Sequence, residues 1–127
     1  MNVPDDLRYT KDHEWIRLDA DGVATIGITD YAQGELGDIV FVRVDDPGTH
    51  VDAEAAFGEV EAVKTVSELF APVAGIVEAI NEALNDAPDV VNRDPYGEGW
   101  MVKLRPDNVE DVDRLLLASA YREMVGA

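Results

Sequence analysis

The sequence predicts a mainly β protein of two small sheets, with a short helix near residues 29–36 and a second helix at the C-terminus. Three observations carry that expectation. The apolar runs are short, Gly and Pro interrupt them about every ten residues, and apolar residues return to helical spacing only in the tail. Short strands punctuated in this way argue for a sandwich or small barrel rather than βαβ units.

The elements follow in order. Residues 23–28 (VATIGI) form the first expected strand, after the turn-forming DADG. Residues 29–36 (TDYAQGEL) open on a capping-competent Thr29 or Asp30 and read as the short helix, weakened by Gly34. Strand Ile39–Val44 (IVFVRV) is expected to place Ile39, Phe41 and Arg43 on one face and Val40, Val42 and Val44 on the other. It ends at the turn formers Asp45-Asp46-Pro47-Gly48. Strands at 57–63, Val66–Phe70 and Gly75–Ile80 come next, with Pro72 and Gly75 bracketing a tight turn, and residues 100–104 close the β region. In the tail, Asp107 or Asn108 is the expected N-cap after Pro106, and acids at 110, 111 and 113 suit the positive end of a helix dipole. Val109, Val112, Leu116 and Ala120 fall on one side, with Leu115 beside them, which predicts one helix over 107–125 laid against the β core. No internal repeat, low-complexity tract or linker interrupts the 127 residues, so they read as one domain.

Hydrophobic residues at 46% and charged ones at 29% are an ordinary balance for a soluble protein, but the net charge of −17 is not. Phosphate backbones and anionic membranes are repelled by such a surface, so nucleic-acid and membrane roles fall away. Partners with basic faces are favoured, because opposite potentials speed encounter. There is no cysteine, so no disulfide or protein thiol is available, and any sulfur chemistry must arrive on a cofactor. The start, MNVPDDLRYTKDHEW, has neither the basic and apolar regions of a secretory signal nor the character of a transit sequence. No apolar run is long enough to span a bilayer. The expectation is a soluble, cytoplasmic protein, or a mitochondrial one if a leader has been removed. Two histidines without HExxH make a transition-metal site improbable, the carboxylates form no EF-hand loop, and no nucleotide-binding glycine pattern is present.

One charge stands out. Between Arg43 and Arg93, Lys64 is the only Lys or Arg, set among eleven Asp and Glu. It lies where the alternating run ending at Val63 meets the run beginning at Thr65, which places it at a hairpin tip. From pattern alone, a lysine that merely solvates the turn stays the leading reading. Glu61 and Glu68 nearby favour the ammonium form, which argues against a Schiff-base nucleophile, since that needs a desolvated or cation-flanked lysine. A charged tip lysine remains a good substrate for an acylating enzyme.

Four blocks then carry a family resemblance: YTKDHEWIR (9–17), IGITDYAQGELGDIVFV (26–42), GEVEAVKTVSELFAPVAGIVEAIN (58–81) and DPYGEGWMVKL (94–104). In this order they resemble the glycine cleavage system H proteins, whose attachment segment reads close to ESVKAxSDxYxPxSGxVxEVN. The resemblance covers about residues 7–106, with the family's acidic helix expected at about 107–125. Departures are Ala62 for the usual Ser, Thr65 for a frequent Ala, Glu68 for Asp, and Gly34 for a polar residue.

The resemblance implies a flattened lipoyl-type barrel-sandwich hybrid, with lipoate in amide linkage to Lys64. It implies a carrier rather than an enzyme. The aminomethyl group of glycine would pass from glycine decarboxylase (P protein) to aminomethyltransferase (T protein). Dihydrolipoamide dehydrogenase (L protein) would then reoxidise the dithiol, and a lipoate-attaching enzyme would load Lys64 in the first place. By the same residue matching, Glu14 lies near the cleft where the loaded arm docks, with Tyr31 and Glu68 as further candidates. A carboxylate there suits an ammonium-like nitrogen that must be kept from water. Trp15 and His13 are expected to be structural, as is the turn-rich 94–100. Other readings are a relay donating lipoate to other complexes, a biotinyl or dehydrogenase-complex module, and an acidic interaction domain with an unmodified lysine. A biotin site is expected to have Met beside the lysine, where this chain has Val63 and Thr65. A dehydrogenase acyltransferase is expected to continue into a linker and catalytic domain.

Overall fold

The computed structural model describes residues 1–127. Its first strands are β1 (Arg8–Tyr9), β2 (Glu14–Leu18) and β3 (Ala24–Ile28), followed by helix α1 (Asp30–Leu36). Then come β4 (Ile39–Val44), β5 (His50–Val51), β6 (Ala56–Ala62), β7 (Val66–Phe70) and β8 (Gly75–Ile80). The one-turn helices α2 (Ala83–Asp86) and α3 (Val90–Arg93) precede β9 (Val102–Pro106). A 3₁₀ segment at Val109–Arg114, β10 (Leu116–Leu117) and α4 (Ala118–Val125) complete the chain.

Two antiparallel sheets result. The larger has the order β10-β1-β2-β3-β9-β8-β5, and the smaller has β4-β6-β7. The mainly β, two-sheet architecture is the expected one, although β1, β2, β5 and β10 are too short or irregular to show in the pattern. The main core joins the two sheets: Ile16, Ile26 and Leu104 come from the larger, and Val42, Val60 and Leu69 from the smaller. A second cluster gathers Leu7, Tyr9, Trp15, Ala118 and Tyr121. Alternation along β2 explains this division. Ile16 enters the main core and Trp15 the second, so Glu14, two residues before Ile16, shares its face. Strand β3 is buried at all five positions because both of its faces are covered.

Helix α1 begins as expected: the Thr29 hydroxyl accepts from the Ala32 N–H at 3.1 Å. Strand β4 departs from its expected alternation. The register shifts between Ile39 and Phe41, so Ile39 and Val42 are buried while Val40 and Phe41 are exposed together. The tail is not one helix. Asn108 does cap it, accepting from the Glu110 N–H, but the turn it starts ends at Arg114. Leu116 and Leu117 then pair with Tyr9 and Arg8, and the Arg8 guanidinium donates to the Asp113 and Leu115 carbonyls. Cross-strand bonding therefore overrides the helical period. Ala118 and Tyr121 are buried, whereas Ala120 and Val109 are exposed.

Candidate functional site

Lys64 does stand at a hairpin tip. Strands β6 and β7 pair up to Glu61 and Val66, and the Ala62 N–H donates to the Thr65 carbonyl at 2.8 Å. That leaves Val63 and Lys64 as the turn. The Val63 N–H donates to the Asp38 carbonyl at 3.1 Å and holds the tip against the segment leaving α1. The Lys64 ammonium has no hydrogen-bond partner and no carboxylate within 4.0 Å, Glu61 and Glu68 included. Its end lies over Gly37, where a methyl group would meet Cε at 3.6 Å and Nζ at 3.9 Å. Gly37 is also at φ +81°, a conformation that suits glycine after a helix. The contact was invisible in the sequence; only the Gly-Asp pair closing α1 marks the position.

Below the tip, the structure gathers Glu14, Tyr31 and Glu68 around one cleft of about 280 Å³. The start of β2, helix α1 and the β6–β7 hairpin form its walls, with Ile28, Leu36, Val60 and Leu69 as an apolar lining. Lys64 does not line the cleft itself but is carried by the hairpin that forms one wall. Tyr31 is half-buried and packs against the His13 ring at 4.9 Å between centroids; Glu68 is exposed at the rim.

Glu14 is the unusual member. It is 2% exposed, yet no cation pairs with it. Its Oε1 accepts from the Thr10 hydroxyl at 2.6 Å, and its Oε2 accepts from the Phe70 N–H at 3.2 Å. The carboxylate thus ties β2 of the larger sheet to β7 of the smaller one. Burial pushes its pKa up to about 7; the two hydrogen bonds oppose that rise and the nearby Asp12 adds to it.

The neighbouring motif residues are engaged in hydrogen bonds within the fold. His13 sits at φ +69° with Nδ1 at 2.9 Å from the Tyr121 hydroxyl, which is 2.7 Å from Thr29 Oγ1. Burial lowers the His13 pKa. Trp15 is fully buried, and its indole N–H donates to the Pro95 carbonyl at 3.0 Å. The 94–100 turn holds that carbonyl, with the N–H groups of Gly97 and Gly99 both directed at the Asp94 carbonyl.

A lysine left unpaired on a two-residue turn, beside a cleft that holds a buried acid, is compatible with a carrier domain. The family model described as glycine cleavage H-protein matches residues 7–127. A glycine cleavage system H protein of Chlorobium phaeobacteroides is 61% identical over the whole of both chains. That of Geobacillus kaustophilus is 54% identical over 98% of each. The crystal structure of a glycine cleavage system H protein from Mycobacterium marinum superposes with a TM-score of 0.91 at 42% identity, covering 98% of this chain and 100% of that one. The chain belongs to the glycine cleavage H-protein family. It is a non-catalytic lipoyl-carrier component of that system.

Proposed function

We propose that this chain, acting as one carrier domain, bears lipoate in amide linkage on Lys64 and carries the aminomethyl group of glycine from glycine decarboxylase to aminomethyltransferase. Dihydrolipoamide dehydrogenase returns it to the oxidised state. The observation that carries this reading is the unpaired Lys64 ammonium at the tip of the β6–β7 turn. Lys64 fits acylation because losing its charge strands no acid: no carboxylate lies within ion-pair distance. When bound, the dithiolane supplies the redox-active sulfur that the cysteine-free chain lacks.

The residues of the chain present the arm and shelter its end. The turn bonds at Ala62 and Val63 fix the tip, so that freedom is concentrated in the side chain of Lys64. Ile28, Leu36, Val60 and Leu69 give the cleft an apolar lining that excludes water. Glu14 offers a buried carboxylate to an ammonium group brought into the cleft, Glu68 adds negative charge at the rim, and Tyr31 closes the side against His13. Partners with basic faces are steered to the acidic surface.

Peptide mass spectrometry of protein from its native cells tests the attachment. A lipoyl adduct confined to Lys64 is expected; biotin there, or no adduct during growth on glycine, overturns the assignment. In the loaded protein, Glu14→Ala is expected to shorten the lifetime of the aminomethyl form while leaving lipoylation intact. An unchanged lifetime removes Glu14 from the site.

A further inference from the structure

A second cavity, of about 230 Å³, shares Asp12 and Glu14 with the cleft. Thr10 lines this second cavity and not the cleft, so its link to the cleft runs through Glu14. Its hydroxyl nevertheless makes the shortest bond to the buried acid, 2.6 Å to Glu14 Oε1.

The direction of that bond is forced. The Thr10 oxygen accepts from the N–H groups of Asp12 and Glu14, each at 3.2 Å, which occupies both of its lone pairs. Its single proton is then left for Glu14. On the other side of the carboxyl, Oε2 meets the Phe70 N–H, which has no lone pair to offer. Protonation of Glu14 would weaken whichever oxygen carries the hydrogen as an acceptor for these two donors, so both bonds favour the charged form. The two donors oppose protonation without outweighing the effect of burial.

We propose that Thr10 is a positioning residue, which holds Glu14 as an acceptor-only carboxylate ready for a cation in the cleft. The proposal rests on the reading that the cleft receives an ammonium-bearing arm. The surrounding charges sharpen the point. On the cleft side stand Asp12, Glu35 and Glu68, with His13 and Tyr31 bringing no charge of opposite sign while neutral. On the other side, Lys11 lies 3.6 Å from Glu54 and Arg114 lies 3.3 Å from Asp111, so both cations are paired away from Glu14. With no cation supplied, fixed hydrogen-bond donors are the only groups opposing the burial that pushes the Glu14 pKa up to about 7.

The test is a ¹³C NMR titration of the full unlipoylated chain, with the Glu14 side-chain carboxyl assigned by Glu14→Gln. In the wild type, the Thr10 Cβ shift is expected to move with the Glu14 midpoint. In Thr10→Val that midpoint is expected to rise by about one pH unit, a tenfold gain in proton affinity, while Thr10→Ser stays near the wild type. A Thr10 shift that is flat through the Glu14 midpoint overturns the proposal, and this reading needs no variant to fold. So does a folded Thr10→Val with its midpoint unmoved. In the lipoylated, aminomethyl-loaded protein, Thr10→Val is also expected to move the pH dependence of the lifetime upward. If the NMR midpoint moves and the lifetime profile does not, the cleft reading fails and the Thr10 assignment stands.

Discussion

The buried carboxyl of Glu14 makes a strong prediction about stability. Its pKa is raised from 4.5 to about 7 by burial. Below pH 4.5 the group is protonated in both folded and unfolded chains, and burial carries no electrostatic cost. As pH rises, the unfolded chain releases its proton first, and the folded state loses stability until the pH passes the folded-state value. At 1.36 kcal/mol per unit, the shift corresponds to roughly 3 kcal/mol, lost mainly between pH 4.5 and 7. Glu14→Gln removes this titration while keeping the side-chain shape. Its amide still accepts from Thr10 but turns a donor toward the Phe70 N–H, which adds an offset independent of pH. Urea unfolding of both proteins at intervals from pH 4.5 to 8 is the assay. The other carboxylates are common to the two proteins and cancel in the difference. The variant's stability relative to the wild type is expected to rise by roughly 3 kcal/mol across this range. A difference that stays flat would show that Glu14 titrates like a solvated acid, and the argument from its burial would be refuted.

Three other outcomes test separate parts of the structure. Gly27→Ala places a methyl group 2.7–2.8 Å from the Trp15 indole, which is fully buried and tied to Pro95, so thermal unfolding should report a loss of about 1–3 kcal/mol. An unchanged melting temperature would mean that the indole has room to retreat. Tyr121→Phe removes the hydroxyl shared by His13 and Thr29, and denaturant unfolding should show a loss of about 1–3 kcal/mol. Lys64→Ala should alter stability by no more than about 0.5 kcal/mol in the same assay, because the exposed side chain has no polar partner.

The parts of this fold legible in the sequence are those set by local chemistry. The Thr29 cap, the hairpin tip at Lys64 and the alternation of β6 arise from neighbours in the chain, although the turn also takes in Val63, which the pattern assigns to the strand. The bulge in β4 was not legible, since IVFVRV reads as a regular strand and only pairing with β6 exposes Val40 beside Phe41. The tail misled for the same reason: its helical period is genuine, but Leu116–Leu117 gains more from completing the edge of the larger sheet at β1. Within the site, Lys64 announced itself through the empty charge neighbourhood. Glu14, Tyr31 and Glu68 came from the family resemblance, because no spacing rule joins positions on β2, α1 and β7. Thr10 carried a weak local signal, a Thr four residues before an acid at a turn, which acquires meaning only once Glu14 is known to be buried.

The two ionic groups at this site are each left without a counter-ion, and they do not complete one another. Lys64 is held at the tip by the bond from Val63 to Asp38, while Glu14 is held beneath by Thr10 and Phe70. An ion pair between them would serve stability but would defeat a carrier, since it would engage the lysine before acylation and fill the cleft with the chain's own cation. On the proposed reading, acylation of Lys64 would make the chain more acidic by one unit and remove the ammonium at the hairpin tip. Beyond what the Thr10 and Phe70 hydrogen bonds offset, the burial cost at Glu14 would then be relieved by a cation arriving in the cleft. On the proposed reading, an arm without a positive end gains little from docking, whereas one with an ammonium group gains much of what Glu14 loses by being buried. Such a difference between the two states would let the same flexible side chain be released when empty and retained when loaded.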